Sequence, residues 1–221
     1  MARASYATTI TTESVRVPTH WTVLQSNKIL TNEWIKLRAD RCVNASGQEI
    51  SPYYVLEYRD WVNVVAFTME GKVLLVNEYK HGVGRVCLGL PGGVIDGTDE
   101  SPLCTAQREL LEETGYLAGT LMPTLTMTVN PAIQNNYGHG HVAFGCTPSH
   151  EGRRASLSES LEPALLDFPQ LLSSYLRCNL VISGFDGASL WQAAIALMQQ
   201  DDPHLRDLRA ATRKVLQELS L

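Results

Sequence analysis

Gly92-Gly93-Val94-Ile95-Asp96-Gly97-Thr98-Asp99-Glu100, followed by Arg108-Glu109-Leu110-Leu111-Glu112-Glu113-Thr114-Gly115-Tyr116, is the stretch around which the chain is organised. A glycine loop leads into a short helix that ends in a dense run of carboxylates. At 3.6 residues per turn, Glu109 and Glu113 fall one turn apart on the same face, with Glu112 beside them. Carboxylates that close repel one another unless water solvates them or cations offset them. Hard divalent cations such as Mg²⁺ take oxygen ligands and keep several waters, so the cluster suits them. A solvated acidic helix end would account for the charges alone. It would leave unexplained the preceding glycines, Arg108 directly beside Glu109, and Gly115 closing the helix.

Together these positions resemble the Nudix box, Gly-x5-Glu-x7-Arg-Glu-U-x-Glu-Glu-x-Gly-U, with U a bulky apolar residue. Arg108, Glu109, Leu110, Glu112, Glu113, Gly115 and Tyr116 fall in register from Glu100 onward. The loop departs from the pattern, because six residues rather than five separate Gly93 from Glu100. Taking Glu100 as the acid keeps the spacing to Arg108 and is preferred; the other register takes Asp99 and puts the extra residue after it. The resemblance implies an α/β fold, a Nudix-type α/β/α sandwich with a mixed sheet. It implies hydrolysis of a nucleoside diphosphate linked to another moiety. Glu109, Glu112 and Glu113 would hold one or more Mg²⁺, with Mn²⁺ as a substitute. Gly92 aligns with the residue whose backbone carbonyl ligates metal in the family, Gly93 would border the substrate, and Arg108 would orient the box carboxylates.

Upstream of the box, Trp61-Val62-Asn63-Val64-Val65-Ala66-Phe67 and Lys72-Val73-Leu74-Leu75-Val76 read as a buried hairpin joined at Glu70-Gly71. Glu78-Tyr79-Lys80 at its end resembles the Gln-Tyr-Arg segment of ADP-ribose pyrophosphatases, whose arginine meets the pyrophosphate. Lys80 keeps the charge but not the planar fork, and Lys80 and Arg85 are the candidate anion contacts. The segment before Pro91 is similar to the family's Glu-Leu-Pro, with Gly89 where the family has a glutamate. Ser101 is a candidate N-cap with Pro102 in the first turn, and Leu103, Ala106 and Leu110 form the expected inward stripe.

From Trp21 to Tyr58 the sequence reads as short strands, with turns at Ser26-Asn27-Lys28, Thr31-Asn32-Glu33 and Asn44-Ala45-Ser46-Gly47. A small antiparallel β segment ahead of the box resembles the N-terminal dimerisation domain of the ADP-ribose branch, which implies a homodimer. The organisation read from the sequence is a flexible leader over 1–20, the β segment over 21–59, the Nudix domain over 60–200 and a C-terminal helix over 201–221.

Beyond the box, Leu125 to Val129 alternates like a strand, and Pro131 lies at a spacing that resembles a marker of the ADP-ribose branch. Gln134 to His141 reads as a polar loop before the strand Val142-Ala143-Phe144-Gly145. His139 and His141 are read as substrate contacts or loop residues in preference to metal ligands. His150 to Glu162 also reads as a loop. Its Glu159-Ser160-Leu161-Glu162 resembles a late family segment in which a loop glutamate serves as base, so Glu159 and Glu162 are catalytic candidates. The remainder looks helical: Phe168 to Leu176, Ala188 to Gln199, and Pro203 to Leu219 with Asp202 as N-cap.

Composition sets the outer bounds. The 221 residues suffice for one substantial core with a small accessory element. A formal net charge of −5 argues against a general nucleic-acid surface. Five scattered cysteines without a Cys-x-x-Cys pair suggest neither a zinc site nor a disulfide framework, so reduced thiols in a cytoplasmic protein are expected. No apolar run reads as a membrane span. The expected substrate is ADP-ribose or a related nucleoside diphosphate sugar, cleaved to a nucleoside monophosphate and a sugar phosphate. Nucleoside triphosphates, dinucleotides and a non-catalytic nucleotide-sugar sensor are the alternatives.

Overall fold

The computed structural model describes residues 20–150, 152–153 and 161–218. Apart from His20, the leader expected over 1–20 lies outside them, as does Glu159. The chain divides after Leu56 into two compact units.

The first unit is a three-stranded antiparallel sheet of β1 (Thr22–Thr31), β2 (Lys36–Val43) and β3 (Glu49–Leu56), in that order. The turn expected at Ser26-Asn27-Lys28 is instead the middle of β1, because pairing to β2 runs on through these residues and sets Ser26 opposite Asp40. Ser26 Oγ donates to Asp40 at 2.5 Å and Arg38 Nε donates at 2.9 Å. Burial pushes the Asp40 carboxyl up, but these two donors outweigh it and hold the group below its usual range. Asn32 Oδ1 accepts the backbone N–H groups of Trp34 and Ile35, which makes 32–35 a side-chain-closed turn as expected. Every residue of β1 is exposed, including Val23, Leu24, Ile29 and Leu30.

The second unit is built on β4 (Trp61–Thr68), whose last seven residues are all buried. Such a nearly continuous apolar run is what a strand covered on both faces requires. Val62, Val64 and Ala66 pack with Ala106 and Leu110 of α1 (Pro102–Thr114). Val65 and Phe67 face the opposite way, into a core shared with Phe168 and Leu172 of α2 (Phe168–Leu176) and Leu190, Ala194 and Leu197 of α3 (Gly184–Met198). The result is an α/β/α sandwich with a mixed sheet. Its strand order is β10–β5–β4–β9–β7, with β6 on β5 and β8 on β9. Here β5 is Lys72–Lys80, β6 Arg85–Gly89, β7 Tyr116–Leu117, β8 Thr120–Thr128, β9 Tyr137–Pro148 and β10 Leu161–Asp167. Only the β4–β9 pair is parallel among these strands. A 3₁₀ turn (Pro203–Leu205), with Asp202 accepting from the His204 N–H, leads into α4 (Arg206–Glu218), whose Leu208, Val215 and Leu216 pack on the α2–α3 side.

The described ends of two expected loops are strand. Residues 137–141 open the twelve-residue β9, which seats His139 and His141 inside the sheet, 9% and 2% exposed. Glu162 belongs to β10, opposite Asn77 of β5, rather than to a mobile loop.

One irregularity of the sheet creates the site. β4 and β5 pair only at Ala66↔Leu74 and Phe67↔Val73, after which β5 pairs with β6 from Val76 to Lys80. The edge of β4 left open is filled by the glycine loop. Val62 N–H donates to Gly93 O at 2.8 Å, and Val64 N–H donates to Pro91 O at 2.9 Å. Buried backbone donors need partners, and here the loop supplies them.

Candidate active site

Both loop glycines are dictated by close approach. A Cβ on Gly92 would lie 2.2 Å from Val62 O and 2.8 Å from Asn63 Cα, both backbone atoms of β4. A Cβ on Gly93 would lie 2.3 Å from Glu109 Oε1. Only glycine lets the loop bond to the strand on one side and receive a carboxylate on the other.

α1 is set by Ser101, whose side chain accepts from the Cys104 N–H, with Pro102 in the first turn. Gly115 ends it in the left-handed conformation (φ 76°) and donates to Leu111 O at 2.8 Å. Thr105, Ala106, Leu110, Glu113 and Thr114 form the buried face. Leu103 is 39% exposed, which corrects the expected stripe: that face is continued by Thr105. The same geometry buries Glu113, whose Oε2 accepts the Gly92 N–H at 2.8 Å.

Arg108 is the hub of the other acids. Its Nη1 meets Glu109 Oε1 at 2.8 Å and Glu112 Oε2 at 2.9 Å. Its Nη2 and Nε reach the two oxygens of Asp99 at 3.0 and 3.3 Å. The fork against Asp99 holds that carboxyl well below its ordinary 3.8, at about 2, and Arg108 stays charged throughout. Glu100 is exposed. The preferred register is therefore corrected: Asp99 is the acid that meets Arg108, and the extra residue follows it.

Beside Gly92 and Glu113 opens a cavity of about 360 Å³. The β5–β6 hairpin contributes Glu78, Lys80, Val83, Arg85 and Gly89 to its wall, and the following loop contributes Leu90. Val181, Ile182, Phe185 and Asp186 close it from the start of α3. Phe185 stacks on Trp61 with ring centres 5.4 Å apart. Lys80 and Arg85 are exposed, and Lys80 is paired with Glu78 at 2.5 Å. The structure thus brings together Gly92, Glu113, Lys80 and Arg85 at one cavity, with Glu109 and Glu112 adjoining through Arg108 and Gly93.

The other candidates lie elsewhere. Glu162 is not in the cavity wall. His139 bonds Asp60 at 3.3 Å and Thr126 at 3.2 Å, and His141 Nδ1 bonds the His139 carbonyl at 3.1 Å. Burial pushes the His141 pKa down. Both histidines are strand residues bonded within the sheet, not loop residues.

Among the described residues no group of three or more His, Cys, Asp or Glu is gathered to hold a metal ion. Glu109 and Glu112 turn to Arg108, and Glu113 turns to Gly92. The donor chemistry nevertheless fits a hard cation. Two carboxylates flank the Gly92-Gly93 backbone, and Gly93 keeps clear the space that a side chain would fill.

Four residues of the site escaped the sequence reading. Asp186 stands over Gly89, its Oδ2 3.3 Å from where a Cβ would be. Asn63 Nδ2 donates to Asp186 Oδ1 at 2.7 Å, and Trp61 and Phe185 form the apolar wall. Two signals could have found the polar pair. Asn63 is a lone amide inside an apolar strand, and Ser183-Gly184-Phe185-Asp186 has the spacing of a helix N-cap with an acid three residues on.

Comparison with known proteins fits this geometry. Residues 57–171 match the NUDIX domain, and residues 21–56 match the nucleoside diphosphate sugar hydrolase N-terminal domain. The chain is 31% identical over 122 residues to the ADP-ribose pyrophosphatase of Mycobacterium tuberculosis (strain ATCC 25618 / H37Rv), covering 55% of this chain and 58% of that one. It is 28% identical over 122 residues to the methanol dehydrogenase activator of Bacillus methanolicus, covering 55% of this chain and 65% of the relative. The matched stretch thus spans about three fifths of either relative's length. A crystal structure described as an ADP compounds hydrolase superposes with a TM-score of 0.73 at 20% identity, over 85% of this chain and 99% of that one. With more than half of its length matched by the family model, this chain belongs to the Nudix family.

Proposed function

We propose that the protein is a hydrolase that cleaves the pyrophosphate bond of a nucleoside diphosphate sugar, with ADP-ribose the leading candidate, giving a nucleoside monophosphate and a sugar phosphate. The observation that carries this reading is the junction of acid helix and glycine loop, Glu113 on Gly92 and Glu109 over Gly93, at the edge of a nucleotide-sized cavity. The match of residues 21–56 and the name of the mycobacterial relative support the substrate class.

Glu109, Glu112 and Glu113, with the Gly92 carbonyl, would hold Mg²⁺, or Mn²⁺ in its place. Bound there, the metal would neutralise phosphoryl charge and make water a better nucleophile. The chain's own residues do the rest. Arg108 fixes the directions of Glu109 and Glu112 through its two Nη1 contacts, while Asp99 anchors the guanidinium from the loop. Lys80 and Arg85 offset the charge of the diphosphate at the hairpin. Trp61 and Phe185 give the nucleoside an apolar wall. The base role expected of Glu162 is dropped from this proposal, because its strand position keeps it out of the cavity wall.

The test is a substrate panel with Mg²⁺ and product identification. AMP and ribose phosphate from ADP-ribose, lost in Glu113→Gln, support the reading. Pyrophosphate from nucleoside triphosphates, with no AMP from ADP-ribose, overturns it. The engagement of all three box acids by protein donors favours the sensor as second reading, and tight binding of ADP-ribose without product would establish it. We also propose a homodimer on the basis of the exposed apolar residues of β1, and sedimentation as a monomer at working concentration would reject it. No helix among the described residues is long and apolar enough to cross a membrane.

A further inference from the structure

We propose that Asp186 is a specificity-determining residue whose carboxylate receives a sugar hydroxyl of the substrate at the cavity wall. This rests on the nucleotide-sugar reading above.

The carboxylate is held from three sides. Ser183 caps α3 and places Asp186 in its first turn, with the Asp186 N–H donating to Ser183 Oγ at 3.0 Å. Asn63 Nδ2 binds Oδ1 at 2.7 Å, and Ser189 Oγ donates to Asn63 Oδ1 at 2.8 Å, which fixes the amide's orientation. Asn63 and Ser189 are 3% and 1% exposed, so this chain of bonds is a rigid mount. The Ser183 side chain and the Leu90 backbone also favour its charged form. The second oxygen, Oδ2, lies on the Gly89 side of the carboxylate.

Asp186 and Gly89 both line the cavity, so the carboxylate can be reached from it. Within 4 Å of a Cβ at Gly89 lies one atom, Asp186 Oδ2 at 3.3 Å. Trp61, Val83, Ile182 and Phe185 give the cavity wall an apolar part, and the Lys80 charge acts on Asp186. Burial there pushes the Asp186 pKa up, which marks a charged group short of solvent. An anion in such a place takes a donor and repels a phosphate. A hydroxyl is a neutral donor, so it brings no second charge to desolvate. In a nucleoside diphosphate sugar the hydroxyls lie on the sugars flanking the diphosphate. That arrangement lets the phosphates stay with Lys80, Arg85 and the box while a sugar reaches Asp186.

The test measures binding by calorimetry in EDTA, so that turnover does not enter. ADP-ribose, its deoxy analogues on either ribose, and its hypoxanthine analogue are titrated into wild type, Asp186→Asn, Asp186→Ala and Asp186→Ala/Gly89→Asp. The double variant returns a carboxylate to the same space from the opposite wall, where the one atom within 4 Å of the new Cβ is the Asp186 Oδ2 that has been removed. Wild type is expected to prefer ADP-ribose over one deoxy analogue by about 10- to 100-fold. Both single variants are expected to lose that preference, and the double variant to regain most of it, with thermal unfolding confirming that each folds. Equal weakening of all ligands in the single variants, no recovery in the double, or a lost preference for the base instead of the hydroxyl would overturn the assignment. Wild type that binds and discriminates in EDTA but releases no AMP once Mg²⁺ is restored would overturn the hydrolase reading and leave Asp186 standing. Wild type that binds none of the ligands in EDTA and releases no AMP from ADP-ribose with Mg²⁺ would overturn both.

Discussion

Replacing Asp99 with Asn separates the two registers of the loop. The side chain keeps its shape and loses its charge, while Arg108 keeps Glu109 and Glu112 at 2.8 and 2.9 Å. The stabilisation follows from linkage. The Asp99 carboxyl falls from 3.8 unpaired to about 2 when folded, and at about 1.4 kcal/mol per pKa unit this amounts to about 2.5 kcal/mol. Arg108 is 32% exposed, so solvent screening brings the expected loss down to about 1–2 kcal/mol. For a chain of this size that is a drop in Tm of about 2–8 °C. Because the folded pKa is depressed, the contribution is whole above the unpaired value and disappears as the pH falls through the folded one. Denaturant midpoints of wild type and Asp99→Asn should therefore differ at neutral pH and converge between about pH 4 and pH 2. Glu100→Gln is the control, and its exposed side chain predicts a change within about 0.5 kcal/mol. An effect of Glu100→Gln equal to or larger than that of Asp99→Asn would refute the pairing. So would a difference that stays constant with pH.

The remaining predictions come from the same loop and helix. Gly92→Ala drives a Cβ into the β4 backbone and is expected to destabilise by about 3 kcal/mol or more, whereas Gly97→Ala meets nothing within 4 Å and should stay near neutral; chemical denaturation compares them. Leu110→Ala, at a fully buried position, should lose about 2–5 kcal/mol, and Leu103→Ala far less, as read by the same assay. Glu113→Gln weakens the acceptor of the Gly92 N–H and should lower kcat at least about 100-fold with little change in KM, and EDTA should abolish wild-type turnover, with Mg²⁺ restoring it.

What the sequence revealed was set by local chemistry. The spacing Arg108–Glu109–Glu112–Glu113–Gly115 fixes a helix face whatever surrounds it, and Ser101, Pro102 and Gly115 mark its ends by capping rules that need no tertiary contact. The apolar runs at 61–67 and 72–76 likewise gave β4 and β5. The errors fell where tertiary pairing overrode local polarity. His139, Gly140 and His141 look like loop, yet β9 pairs with β4 along one edge and β8 along the other, so its backbone is satisfied as strand. Ser26 looks like a turn residue and is an ion-pair partner's neighbour across a ladder. Asp186 was out of reach for a different reason. Its role depends on Asn63, which is 123 residues away in sequence and adjacent only because α3 crosses β4.

The extra loop residue shows how such an insertion can leave chemistry intact. Its consequence is confined by two fixed points. On one side, Gly93 and Pro91 are bound to Val62 and Val64, so the loop cannot slide along β4. On the other, Ser101 receives the Cys104 N–H and starts α1 where the helix face requires it. Between them Asp99 keeps its fork to Arg108, while Asp96 Oδ1 takes the Thr98 N–H at 2.6 Å and closes a local turn. Glu100 is therefore the residue displaced into solvent, and the register of Glu109, Glu112 and Glu113 against the glycines is untouched. An insertion after Asp99 is tolerated because the acid that matters is identified by reach to Arg108, not by count from it.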